Sequence, residues 1–261
     1  VTLADYYKRQ FAWRSWPVIL DALPPVSGQT VLDLGCGVGD LAAALATRGA
    51  RVIGVDLSEE MLTAARSRDL PQAEFRIADL RALPDLGVSA DGLWCSFAAA
   101  CFLDFAATLA SWSRHLRPGA WAAITEIDDF FGHEPLGGRA KSLLQTYARE
   151  ALAAGRYDFH MGRKLRGHLE RAGFAVRTEM TLADQELAFD GPASEEVAGA
   201  WRFRLDGMSL LRQHCGSEFE QVREEFLRCL SDSRHRSEAK VYCCIAVRRP
   251  APAGTGGETI S

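Results

Sequence analysis

The chain contains no uninterrupted apolar run approaching the roughly 18 residues of a membrane-spanning helix, although 48% of its 261 residues are hydrophobic. Its opening stretch, VTLADYYKRQFAW, is broken by charges where the apolar region of a secretory signal would lie. These absences lead to the expectation of a globular, cytoplasmic protein with no membrane partner. A basic excess is missing too: 30 Lys and Arg stand against 34 Asp and Glu, for a net charge of −4. The densest basic stretch, around Arg163, Lys164, Arg166 and Arg171, reads as a solvated helix face, so no nucleic-acid partner is expected. The seven cysteines are odd in number and lack metal-ligand spacing. They read as reduced thiols, with the adjacent Cys243 and Cys244 facing opposite sides of a strand. No metal is expected either, because Asp128 and Asp129 diverge on a strand and no dense set of further ligands accompanies them. No internal repeat is visible.

What the chain does have is concentrated in VLDLGCGVGD, residues 31–40. Thr30 to Leu34 reads as a buried parallel strand and Leu41 to Arg48 as a helix ended by Gly49. Between them Gly35, Gly37 and Gly39 permit positive φ and close approach of backbone to a ligand, and Cys36 is small enough to sit within the loop. Strand, glycine turn and helix form the unit that holds cofactors at the carboxyl ends of strands. A dinucleotide fingerprint would need a glycine where Asp40 stands. Asp40 and Asp33 would repel a diphosphate and suit a cationic or zwitterionic guest. A nicotinamide-dependent oxidoreductase is therefore the disfavoured alternative.

Four further segments follow in order. ARVIGVDLSEEML reads as a second strand ending at Asp56, with Ser58 capping a helix through Met61. An acid at that strand tip can accept both hydroxyls of a ribose. EFRIADLRALP ends in Asp79 and Leu80, DGLWCSFAAACFLD carries Ser96 and Phe97, and LRPGAWAAITEID places a Pro118–Gly119 turn before a fifth strand. The Asp33, Gly35, Gly37 and Gly39 pattern, followed by these segments, resembles motif I and the succeeding motifs of the class I S-adenosylmethionine (SAM) dependent methyltransferases. The resemblance covers about residues 28–130 most closely. It implies an α/β fold with a doubly wound, mostly parallel seven-stranded sheet, and SAM as cofactor. It further implies that the glycine loop with Asp33 and Cys36 lies along the methionine part of SAM and that Asp56 binds the ribose. Leu57 and Met61 would flank the adenine, Asp79 and Leu80 would read its edge, and Ser96 would face the reaction site.

The remaining segments fill out one domain over residues 1–248. An amphipathic helix within residues 3–23, carrying Trp13 and Trp16, precedes the core. Further strands fall near 174 and at Lys240 to Val247, the last resembling the family's antiparallel strand. Insertions at about 130–161 and 191–236, the second with two helices, would lie over the carboxyl edge of the sheet as a lid. The Pro/Gly-rich residues 249–261 read as a flexible tail. Methyl transfer from a sulfonium needs alignment and desolvation first, and a base only if the acceptor loses a proton. His133 is the leading candidate for that base, with Asp128, and then Asp129 and Glu126, beside it. His160 and His214 are weaker candidates, and Tyr7 would gate rather than deprotonate. The segment Cys95 to Ala98 lacks the Asn/Asp-Pro-Pro-aromatic motif of enzymes that methylate base amines. A small-molecule acceptor is expected, with oxygen favoured over nitrogen or carbon, in a monomer or homodimer. A noncatalytic SAM-binding regulator would share the same loop.

Overall fold

Seven strands of the chain pair into one sheet: β1 (Thr30–Leu34), β2 (Arg51–Asp56), β3 (Ala73–Ile77), β4 (Ala90–Ser96), β5 (Leu116–Asp128), β6 (Phe174–Leu182) and β7 (Lys240–Arg248). The computed structural model describes residues 3–250. The spatial order is β3-β2-β1-β4-β5-β7-β6. The first five strands run parallel, and β7 is antiparallel to both β5 and β6. The order reverses between β1 and β4, so the crevice beyond their carboxyl ends is where such a sheet binds ligands.

Alternation along the strands divides the core between the two faces. Val31, Trp94, Trp121 and Ala123 enter one apolar cluster, whereas Leu32, Leu93, Cys95, Ala122 and Ile124 enter the other. Cys243 and Cys244 fall into opposite clusters, as adjacent strand residues must. All seven thiols are free. Helices α3 (Asp40–Thr47) and α4 (Glu59–Arg66) follow β1 and β2. Ser58 caps α4, its Oγ accepting from Met61 N at 3.4 Å. Among the described residues no helix is long and apolar enough to cross a membrane.

Three local expectations change. The N-terminal helix is broken into α1 (Leu3–Gln10), a single 3₁₀ turn at Phe11–Trp13 and α2 (Trp16–Ala22). Arg14 is extended at the break (φ −94°, ψ 147°), and Pro17 lies in the first turn of α2, where its missing N–H costs nothing. The second insertion holds three helices rather than two: α8 (Glu195–Gly207), α9 (Ser209–Cys215) and α10 (Phe219–Ser231). Gly216, at φ +54°, separates the last two. The first insertion contributes α6 (Gly138–Ala153) and a two-residue strand, His133–Glu134, that pairs with Arg236–Ser237. Helices α5 (Phe105–Trp112) and α7 (Leu165–Arg171) pack on the Leu32 face. Pro118–Gly119 lies within β5, where a register shift against β4 absorbs the expected turn. From residue 251 onward the expected tail lies outside the described residues.

Candidate functional site

A cavity of about 650 Å³ opens at the reversal of strand order, bounded by the glycine loop, the ends of β1, β2 and β4, the N-terminal segment and helices α6 and α8. Gly35, Gly37 and Gly39 all have positive φ, at 79°, 52° and 76°, yet they serve two purposes. A Cβ on Gly37 would project into open space beside the cavity, so the loop leaves room there for a ligand. A Cβ on Gly39 would stand 3.0 Å from both Ala65 and Phe75. The structure thus sets Gly39 at the packing of α3 against its neighbours and off the cavity wall. Gly35 lines the cavity with Ala98 close behind it.

Three carboxylates gather at this end. Asp56 accepts from Gly37 N through one oxygen and Ser58 N through the other, both at 2.9 Å, which orients the carboxylate on the cavity wall. Asp33 is 2% exposed, and its Oδ2 has no partner among the described residues. Burial, reinforced by the nearby Asp56, pushes the Asp33 carboxyl up to about 7. Asp40 pairs with Arg68, whereas among the described residues Asp33 and Asp56 have no cationic partner. The orphaned Asp33 oxygen and the open space at Gly37 fit a cationic ligand laid along the loop. Cys36, Met61 and Ser96 line the same cavity, and the Ser96 hydroxyl accepts from Trp94 Nε1 at 2.8 Å.

The opposite wall is aromatic and carries arginines. Phe97, Phe130, Tyr147, Tyr157 and Phe159 line it. Phe97 holds φ +55°, an uncommon backbone state for a bulky residue and one that tends to occur at binding sites. Arg14 Nη1 reaches Asp184 at 2.7 Å and its Nη2 reaches Glu186 at 2.6 Å; Arg204 meets the other Glu186 oxygen at 2.7 Å. Tyr6 donates to Glu186 at 2.8 Å. Burial alone would raise the Glu186 carboxyl, but Arg204 and Arg14 outweigh it and hold the group at about 2. This node ties the N-terminal segment, the chain after β6 and α8 together beside the cavity.

Several residues singled out from sequence lie elsewhere. His133, the expected base, is 1% exposed and does not line the large cavity. His235 Nδ1 donates to the Gly191 carbonyl at 2.8 Å, so its Nε2 must accept from His133 Nδ1 at 3.0 Å. The remaining His133 nitrogen faces no partner and borders a separate space of about 40 Å³. Burial, followed by His235, drives the His133 pKa down to about 3, so the ring is neutral at physiological pH. Asp128 is engaged by Arg163 Nε through both oxygens, at 2.7 and 2.8 Å. Neither Asp128 nor His133 lines the cavity: Asp128 is held by Arg163, and His133 is carried past Phe130 onto a ribbon with Arg236–Ser237. Glu126 is buried, accepting from Ala100 N and Ile127 N, and burial pushes it up to about 7. Asp129 and His160 border the smaller space, and His214 pairs with Glu150.

The adenine-side expectations divide as well. Met61 faces the cavity, whereas Leu57 is 59% exposed beyond it. Asp79 caps a 3₁₀ turn and pairs with Arg81, while the Leu80 carbonyl accepts from Trp112 Nε1 at 2.8 Å; neither residue lines the cavity. Tyr7 does line its mouth. Sequence reasoning missed Gln10, Arg14, Tyr157, Glu186 and Arg204. Glu186 lies 172 positions from its partner Arg14, a separation that no local spacing reveals. The only available signal was the position of Arg14 in the amphipathic segment ahead of the core.

Comparison with known proteins agrees with this geometry. Residues 31–119 match the family model described as a methyltransferase domain. An uncharacterized 37.1 kDa protein in transposon TN4556 of Streptomyces fradiae is 33% identical over 215 residues, covering 77% of this chain and 59% of that protein. Trans-aconitate 2-methyltransferase of Azoarcus sp. is 43% identical over 108 residues, covering 41% of this chain and 42% of that enzyme. The chain spans about half the length of these curated relatives. A solved S-adenosylmethionine-dependent methyltransferase from Mesorhizobium loti aligns over 89% of this chain and 97% of its own, with a TM-score of 0.54 and 22% identity. Residues 31–119 are thus a methyltransferase domain, and the sheet that carries them has the fold of solved SAM-dependent methyltransferases.

Proposed function

We propose that this chain transfers the methyl group of SAM to a small-molecule acceptor within the large cavity, with an oxygen as the favoured accepting atom. The observation that carries the reading is the polarity of that cavity. An unpartnered buried carboxyl and an open glycine stand at one end, and an aromatic chamber bounded by α6 and α8 stands at the other. Its volume falls in the range of about 300–1,000 Å³ usual for small-molecule sites. Trans-aconitate 2-methyltransferase and ubiquinone biosynthesis O-methyltransferases are among the relatives, which supports a small acceptor.

Asp33, Gly35, Gly37, Asp56, Met61 and Ser96 would hold SAM, which supplies a methyl group made electrophilic by its sulfonium. Asp33 matches the positive charge of the ligand. Asp56, already oriented by two backbone N–H groups, retains lone pairs for hydroxyl donors. Phe97, Phe130, Tyr157 and Phe159 exclude water and confine the acceptor, so alignment and desolvation supply the acceleration. Among the described cavity-lining residues there is no histidine. The reaction therefore suits an acceptor acidic enough to lose its proton without a dedicated imidazole.

Calorimetric titration with SAM, S-adenosylhomocysteine and NADH tests the reading, followed by turnover with methyl-labelled SAM and a panel of phenols and carboxylic acids. Binding of the first two ligands, silence from NADH and label transfer to a small acceptor are the expected results. Binding of NADH alone would overturn it. Tight SAM binding without transfer to any acceptor would favour a regulator instead.

A further inference from the structure

Glu126 was expected among the candidate bases, yet it is fully buried and does not line the large cavity. Both of its oxygens are engaged by backbone. Oε1 accepts from Ile127 N at 3.0 Å, and Oε2 reaches across from β5 to accept from Ala100 N at 3.1 Å. Ala100 is the middle residue of a 3₁₀ turn, Ala99–Cys101, that follows β4, and the residue before the turn, Ala98, has no side chain to cap it. A carboxylate from the neighbouring strand takes the place of that cap.

The segment held in this way joins the two ends of the cavity. Phe97, Ala98 and Cys101 all line it. Ala98 Cβ lies 3.3 Å from where a Cβ on Gly35 would stand, at the glycine-loop end. The Phe97 ring faces the other end, 6.0 Å from the Trp16 ring and 5.2 Å from the Arg14 guanidinium. Phe97 N donates to the Thr125 carbonyl at 2.9 Å, and the Ala100 carbonyl accepts from Asp158 N at 2.9 Å. Between these tethers Phe97 keeps its left-handed φ of +55°, a state that persists only where the surroundings impose it.

The charges around Glu126 do not neutralise it. Asp158 acts on it as a like charge and is itself held by Lys164 at 2.6 Å. Tyr157, Cys95 on β4 and Cys101 in the turn are each pushed above their ordinary values, chiefly by burial, and keep their protons near neutrality. Tyr242 stands opposite on β7. Burial pushes Glu126 itself up to about 7. Near neutral pH a carboxylate that accepts from two N–H groups therefore gives way to an acid whose hydroxyl oxygen is a poorer acceptor.

We propose that ionised Glu126 is a positioning residue, which fixes the Phe97–Cys101 segment and thereby sets the alignment of the acceptor against the methyl group of SAM. This rests on the methyl-transfer reading and adds to it a residue that acts without touching a ligand.

Amide hydrogen exchange at Ala100, followed by NMR on the full unliganded chain between pH 6 and pH 8 and expressed as protection factors, reads the tether directly. Protection should rise about tenfold as pH increases through 7, the value of a hydrogen bond to a charged group. The step should persist in Asp33→Asn. In Glu126→Gln, which keeps the shape but cannot ionise, protection should stay at the low-pH level throughout, with thermal melting confirming that the variant is folded. Turnover of methyl-labelled SAM with the best acceptor among the phenols and carboxylic acids reads the consequence. Glu126→Gln should lower kcat at pH 8 by about tenfold or more, while the SAM Kd stays within about threefold. A step absent from the natural chain, or unchanged in Glu126→Gln, would overturn the proposal, and the natural chain decides this even if the variant does not fold. A rise in the SAM Kd without loss of kcat would overturn it in favour of a role in cofactor binding. The exchange step without methyl transfer to any acceptor would overturn the methyl-transfer reading and the alignment role with it, leaving the tether in place.

Discussion

The two ends of the cavity solve opposite electrostatic problems. At the glycine-loop end Asp33 is buried with an unpartnered oxygen, so among the described residues the protein carries a carboxyl with no cation set against it. At the acceptor end Glu186 is equally buried, but two arginines and a tyrosine saturate it. One carboxyl is consequently lifted to about 7 and the other held at about 2. Burial acts in the same direction on both. The difference lies in whether the compensating charge belongs to the fold or must arrive with a ligand.

Removing the compensation where the fold supplies it should have the largest effect. Glu186→Ala leaves Arg204 without its carboxylate and Arg14 with Asp184 alone, and should destabilise the chain by about 3–5 kcal/mol in a denaturant titration. Loss of less than about 1 kcal/mol would show that the node contributes little and would break the contrast. At the other end, Asp33→Asn should weaken SAM binding by about tenfold to a hundredfold, the value of a hydrogen bond to a charged group, while stabilising the unliganded fold by roughly 1–3 kcal/mol by removing a buried carboxyl. Opposite signs in calorimetry and unfolding are the diagnostic outcome.

The glycines sharpen the same contrast between ligand and fold. Gly37→Ala should reduce SAM affinity with a modest stability loss of about 1 kcal/mol, the cost of a left-handed residue. Gly39→Ala should instead cost stability first, because its Cβ meets Ala65 and Phe75. An equal effect of both on binding would dissolve the division of labour within the loop.

The effect of pH is smaller but directional. The unliganded Asp33 carboxyl titrates at about 7, and a cationic ligand favours its ionised form, so SAM affinity should rise as pH increases through 7 and then level off. Asp33→Asn should flatten this profile. The smallest effect on turnover is expected from His133→Phe, a change of less than about threefold, because the ring lies outside the cavity and general-base loss would cost about 10² or more. His133 belongs to stability instead. Its folded pKa of about 3 lies below the ordinary 6.5, so the unfolded chain binds more protons below pH 6.5. Stability should fall as pH drops from 6.5 toward 3, and His133→Phe should lessen that loss.

How far the site was legible follows from how local each signal is. Asp33, Gly35, Gly37 and Asp56 lie on one strand–loop–helix unit and the next strand tip, and their chemistry follows from spacing along the chain. Met61 follows from the cap at Ser58, one turn away. Gly39 carries the same glycine signature as Gly37 but faces Phe75, and no spacing distinguishes a glycine that admits a ligand from one that admits a ring. His133 looked poised because it follows β5 closely in sequence. The chain reverses at Asp129, with φ +55°, and carries His133 onto a ribbon with Arg236–Ser237.

By itself, the sequence determined the alternation of strands and helices, the glycine loop, the acids at the strand tips and the order of the motifs, because each element is set by residues that are neighbours along the chain. The tertiary structure alone decided which glycine faces the cavity, that His133 is buried away from it, and that Arg14, Glu186 and Arg204 meet beside it. Those outcomes depend on contacts between separate segments, from the 18 positions between Glu186 and Arg204 to the 172 between Arg14 and Glu186. Hydrophobic burial brings such segments together without any trace in local spacing, and only once they meet do their charges acquire partners or remain without them.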